Sequence, residues 1–103
     1  MNAVSHPPSL PPTQAVILNL LLGHGELYGL ELVAASGGRL KRGTVYVTLG
    51  RMEEKGFVIS RLEDAPPGAG GLPRRVYQAT PLGRRVAQLW TRVARTLALE
   101  AAQ

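Results

Sequence analysis

Positions 15–22 are apolar at every residue except Asn19. Thr13 before the run can cap a helix N-terminus with its hydroxyl, and Gly23 after it favours the left-handed turn that ends one. A helix apolar on nearly all sides is buried on more than one face. This first helix is therefore expected to serve the chain's own core on one side and a second chain on another, with Leu18 at that interface. The run falls far short of the roughly 20 residues needed to span a bilayer.

After the turn Gly23-His24-Gly25-Glu26, Leu27, Leu30, Val33 and Ala34 recur at helical spacing. They predict a second helix over 28–36, stopped by Gly37 and Gly38. Val45, Leu49 and Met52 stand at i, i+4 and i+7 and predict a third helix, from 42–44 to 55, ended by Gly56. The pattern then changes. Residues 57–63 read as a strand from their β-branched content, and 74–79 as a second one. Between them, residues 65–73 form a loop rich in proline and glycine (Pro66, Pro67, Gly68, Gly70, Gly71, Pro73) that is longer than a hairpin turn needs. Thr80 followed by Pro81 is a cap and a first-turn proline, and opens a last helix over 81–101. Leu82, Val86, Leu89, Val93 and Leu97 make a stripe along it, with Trp90 beside the stripe. So long a helix exceeds what the core of a small domain requires, and these six residues are expected to pair with a second copy of the chain.

The predicted fold is mainly α with a small β-hairpin. Helices two and three with the hairpin make a winged helix-turn-helix, and the last helix is a C-terminal dimerisation helix. Residues 1–12, with Pro7, Pro8, Pro11 and Pro12, are expected to be a flexible arm; 13–80 form the winged unit and 81–103 the pairing helix.

Charge sharpens this picture. Twelve basic residues against seven acidic ones in 103 give a net charge of +5, which suits a polyanionic partner, nucleic acid first. On the third helix, the face opposite Val45, Leu49 and Met52 presents Gly43, Thr44, Val47, Arg51 and Glu54, with Tyr46 and Thr48 on its flanks. Small groups near a helix start allow close approach to a groove. Hydroxyls can donate to phosphates, and an arginine can reach a phosphate or fork onto guanine. Lys41 and Arg42 place positive charge against the positive end of the helix dipole, an arrangement that suits an external anion better than internal stability. Arg61, Arg74 and Arg75 stand at the base of the loop, where a wing can straddle the DNA backbone. The candidate DNA-contacting set is thus Lys41, Arg42, Gly43, Thr44, Tyr46, Val47, Thr48, Arg51, Arg61, Arg74 and Arg75.

Other chemistries find little support. The chain has no cysteine, which removes disulfides, thiolate metal sites and cysteine nucleophiles. Its two histidines, His6 and His24, fall in the arm and a turn, and no carboxylate pair or nucleophile–base set accompanies them. Residues 38–44 have the glycine spacing of a phosphate-binding loop but lack the lysine before Thr44. No catalysis, cofactor or metal is expected, and the chain reads as soluble and cytoplasmic. A winged helix that contacts only other proteins is the alternative reading.

The motifs together resemble one family. Leu27-Tyr28-Gly29-Leu30-Glu31-Leu32 resembles the Leu-Tyr-Gly-x-Glu-Leu of PadR-type regulators. Residues 43–53 resemble their Gly-Thr-aliphatic-Tyr-x-x-Leu-x-Arg-aliphatic-Glu signature, with Val47 where proline is common. Lys55-Gly56-Phe57-Val58 is similar to their turn into the wing. Residues 74–83 are similar to Arg-Lys-x-Tyr-x-Leu-Thr-x-x-Gly, with Ala79 in place of the usual leucine. The resemblance implies a dimeric winged-helix repressor whose third helix, with Thr44, Tyr46 and Arg51, reads operator DNA. It also implies relief by a small-molecule effector, for which Trp90 at the dimer seam is the one contact the sequence offers.

Overall fold

The computed structural model describes residues 8–65, 68 and 71–102. Residues 1–7 of the expected arm, and Pro66, Pro67 and Gly70 of the expected loop, lie outside the described residues. The elements run α1 (Pro12–His24), β1 (Leu27–Tyr28), α2 (Gly29–Ala35), α3 (Val45–Glu54), β2 (Val58–Glu63), β3 (Arg74–Ala79) and α4 (Pro81–Ala101).

Proline sets the start of α1. Pro12 occupies the first turn, where its missing N–H costs nothing, and Pro11 is extended, so Thr13 lies inside the helix rather than capping it. The helix runs past Gly23 and stops at Gly25, whose φ of 90° is open to glycine at little cost and whose N–H bonds the Leu21 carbonyl at 2.8 Å. The hairpin has a third member that the sequence reading placed in the second helix. Leu27 and Tyr28 pair with Tyr77 and Val76, giving an antiparallel sheet in the order β1-β3-β2. A strand this short carries no alternation of its own, and Leu27 also fits a helical period.

The core gathers Ile17, Leu18 and Leu21 of α1, Leu32, Leu40, Val45, Leu49, Met52, Phe57, Val58, Tyr77, Val86 and Ala87. Two expected interface residues belong to it. Leu18 is wholly buried and Val86 almost so, because they face each other's helices across the protomer; neither has surface left for a second chain. The arm also differs from expectation over its described part. The Trp90 indole N–H donates to the Pro8 carbonyl at 2.8 Å, Leu10 packs against the core, and the Lys55 ammonium reaches the Ser9 carbonyl and the Gln14 side chain. Residues 8–10 are docked, because Pro8 is bonded to Trp90 of α4, Ser9 to Lys55 just past α3, and Leu10 packs against the core.

One joint holds these parts in register. The Phe57 N–H bonds the Met52 carbonyl at 2.9 Å, which turns the chain at the end of α3. The Phe57 carbonyl then accepts from the Thr80 N–H at 3.0 Å, while the Thr80 hydroxyl donates to the Gly56 carbonyl at 2.6 Å and accepts from the Gly83 N–H. Thr80 is thereby both the cap of α4 and its bond to α3. The approach is so close that a Cβ on Gly83 would lie 2.2 Å from the Phe57 oxygen.

Past Val93, α4 leaves the core. Residues 94–101 are all exposed, and the radius of gyration is 15.8 Å, against about 13 Å for a compact chain of about 100 residues.

Gly83→Ala cannot be relieved by a side-chain rotation, since backbone stands in the way, and should destabilise the fold by about 3 kcal/mol. Gly50→Ala, where an added Cβ meets nothing within 4 Å, should stabilise α3 by up to about 1 kcal/mol. Urea unfolding of both variants measures the contrast.

Candidate nucleic-acid interface

The segment between α2 and α3 is pinned from beneath. The buried Ser36 hydroxyl donates to the Val33 carbonyl at 2.8 Å and accepts from the Leu40 N–H at 3.0 Å. Gly37 and Gly38, with φ of 63° and 89°, turn the chain, and Leu40 enters the core. The Lys41 carbonyl accepts from both the Thr44 and Val45 N–H groups and starts α3. Ser36 and Leu40 were not singled out from sequence, although a serine directly before two glycines is a signal for such a turn.

Val45, Leu49 and Met52 turn inward, and the opposite side is uncovered as the periodicity predicts. Lys41, Arg42, Gly43, Thr44, Val47 and Arg51 are exposed, and Thr48 is half-buried. The Thr44 side chain makes no cap bond. The Thr48 hydroxyl donates back to the Thr44 carbonyl at 3.2 Å, which leaves its lone pairs outward. Among the described residues both ion pairs involve Arg61, so Lys41, Arg42 and Arg51 have no carboxylate partner. Arg39 joins them: its Nε donates to the Ser36 carbonyl at 3.1 Å and the residue is otherwise exposed.

Tyr46 is held at an angle. Its ring fills the space where a side chain on Gly29 would begin, 2.5 Å from an ideal Cβ, yet the residue stays 49% exposed. One edge of the ring thus packs α3 on α2 while the rest remains available at the surface.

The wing divides its arginines between two faces. From the register, Ser60, Leu62, Arg75 and Tyr77 share one face of the sheet, and Ile59, Arg61, Glu63, Arg74, Val76 and Tyr28 share the other. On the first face, Arg75 donates to the Ser60 hydroxyl at 3.1 Å, which donates to Glu53 of α3 at 2.8 Å. On the second, Arg61 grips Glu26 with two bonds of 2.6 and 3.1 Å and reaches Glu63 at 3.1 Å. The Tyr28 hydroxyl donates to Glu63, and the Arg74 guanidinium lies 4.2 Å over the Tyr28 ring. The Arg61 hydrogen bonds hold the Glu26 carboxyl below its ordinary range, and the bond to Glu63 raises the Tyr28 phenol. Burial, first of all, raises Tyr77.

Among the described residues no group of three histidine or acidic side chains could hold a metal, and no helix is long and apolar enough to cross a membrane.

Comparison with the curated proteins finds no match. Among solved structures, a PadR family transcription regulator from Clostridium difficile superposes with a TM-score of 0.71 at 26% identity, over 88% of this chain and 95% of that one. The PcaV transcriptional regulator from Streptomyces coelicolor, solved with its natural ligand, gives 0.67 at 25% identity, and this chain spans 96% of itself but only 64% of that protein. Bacillus subtilis PadR in complex with operator DNA gives 0.67 at 22% identity, over 81% of this chain and 48% of that one, a likeness of fold. The model of the transcriptional regulator PadR-like family matches residues 17–89, which include the joint at Thr80, α3 and both stem strands, and the chain belongs to that family.

Proposed function

We propose that the chain is a sequence-specific, double-stranded-DNA-binding regulator that acts in the cytoplasm as a homodimer and represses transcription from its operator. The observation that carries this reading is the outer side of α3. It presents Thr44, Tyr46, Val47 and Arg51 on a helix whose start is flanked by Arg39, Lys41 and Arg42, none of them in an ion pair among the described residues. A major groove about 12 Å wide admits a helix of this kind. The basic groups would neutralise phosphates and set the register, and Arg51 and the small polar groups would meet base edges.

The homodimer rests on α4. Its stripe is exposed at Leu82, Leu89 and Leu97 and half-buried at Trp90 and Val93, and its last two turns cover nothing in the protomer. Pairing through this helix would place two copies of α3 on successive turns of the duplex, which predicts half-sites about 10 bp apart or a multiple of that. Repression follows from occupancy, since a dimer on its operator excludes other proteins there. An effector would sit beside Trp90, where a cavity of about 300 Å³ opens between α1 and α4, with Leu10, Asn19, Ala87 and Thr91 in its walls.

Binding to a duplex selected from a random pool should be steeply salt-dependent, losing about 10³–10⁵ in affinity between 50 and 200 mM salt if roughly 6–10 phosphates are contacted. Binding that ignores salt would favour a module for protein contacts instead. Arg51→Ala should cost about 1–3 kcal/mol on the selected duplex and relax the preference at one base position. Gly29→Ala should leave the urea midpoint almost unchanged, because the Tyr46 ring can swing away. Its duplex affinity should nonetheless fall; an unaltered affinity would remove Tyr46 from the interface. Leu89→Asp or Val93→Asp should sediment as a monomer at concentrations where the parent chain is a dimer.

A further inference from the structure

All three arginines at the stem of the wing have partners within the protein, but not of the same kind. Arg75 lies on the sheet face turned toward α3 and meets a neutral hydroxyl with one nitrogen, Nη1, at 3.1 Å. Arg61 and Arg74 lie on the opposite face, among Glu26, Glu63 and Tyr28. Both terminal nitrogens of Arg61 are committed to carboxylates, in a fork on Glu26 with a further bond to Glu63. Fork geometry is the strong form of this bond. Two carboxylates and two guanidiniums on that face sum to zero charge, so it offers a phosphate no net attraction.

The same cluster ends on the helix-turn-helix. Tyr28 is the residue that caps α2: its N–H donates to the Glu31 carboxylate at 2.8 Å. Its hydroxyl donates to Glu63 at the end of β2, and its ring lies beneath Arg74 at the start of β3. Glu26, held by Arg61, directly precedes β1. The wing cannot swing away from α2 without breaking these contacts together.

We propose that Arg61 and Arg74 are positioning residues that latch the wing to the N-terminus of α2 through Glu26, Glu63 and Tyr28, and that Arg75 is the stem arginine presented to DNA. This rests on the DNA-binding reading of α3. It replaces a stem whose three arginines act alike with one in which one is presented to the duplex and two fix the angle of presentation.

A charge exchange on the selected duplex tests it. Arg61→Glu places a further carboxylate beside Glu26 and Glu63 and should lower affinity by about tenfold. The exchange Glu26→Arg with Arg61→Glu rebuilds the pair in reverse and should restore affinity to within about threefold. Amide exchange in β1 and β2 should quicken in the single variant and recover in the pair. Arg75→Ala should reduce the slope of log affinity against log salt by about 0.9, and Arg61→Ala should leave the slope unchanged. The proposal is overturned if the exchanged pair binds as weakly as Arg61→Glu alone, or if Arg61→Ala lowers the slope as Arg75→Ala does. If selection enriches no duplex, the DNA-binding reading falls and takes the latch's role in recognition with it. If duplex binds but the pair gives no rescue, only the latch falls.

Discussion

The contact between Gly83 and the Phe57 carbonyl is the constraint on which the rest depends. It lets the start of α4 lie directly on the turn that ends α3, with Thr80 bonded to both Gly56 and Phe57. Any side chain at position 83 would push the two apart. Through this joint the orientation of the uncovered α3 face is tied to the direction in which α4 leaves the protomer. Two copies paired along α4 would therefore hold two α3 helices at a set separation. A loose joint would give the same elements with no fixed spacing, and operator recognition by a dimer needs that spacing.

The other side of α3 is set by a second group of contacts. Ser36 and Leu40 fix the turn before it, and the Tyr46 ring lies against α2 in the space over Gly29. The polar cluster around Tyr28 extends the same control to the wing. Exposed ion pairs contribute little to stability, roughly 0–1 kcal/mol each. Their use here lies in geometry: a wing on two strands is held to the body through β1 and a few side chains. Arg39, Lys41, Arg42 and Arg51, by contrast, are exposed and outside any ion pair among the described residues, as are the arginines of α4.

Much of this was legible in the sequence, for reasons of scale. The bounds of β3 and α4 match expectation because Thr80 and Pro81 carry both a stop and a start in two residues. The inward stripe of α3 was read from three residues at fixed spacing. What was not legible depends on contacts between distant segments. A two-residue strand such as β1 has too few positions to show a period. Leu18 and Val86 carry the same apolar signal whether a helix faces its own core or a second chain, and only the packing assigns them inward. The three stem arginines look alike in sequence; the register separates them, because alternation along β3 sends Arg74 and Arg75 to opposite faces. Gly29 and Gly83 stood within recognised motifs, but their reason, the close approach of Tyr46 and of Phe57, exists only once the chain is folded.

The central claim is that the outer side of α3 reads DNA. The most direct measurement is a nuclear magnetic resonance titration of the chain with its selected duplex, following backbone amides and arginine side chains. Shifts concentrated from Arg39 to Arg51, with Arg51 and Arg75 side chains moving and the α4 residues beyond Ala94 still, are the predicted result. Shifts confined to α4, with α3 unperturbed at saturation, would contradict it.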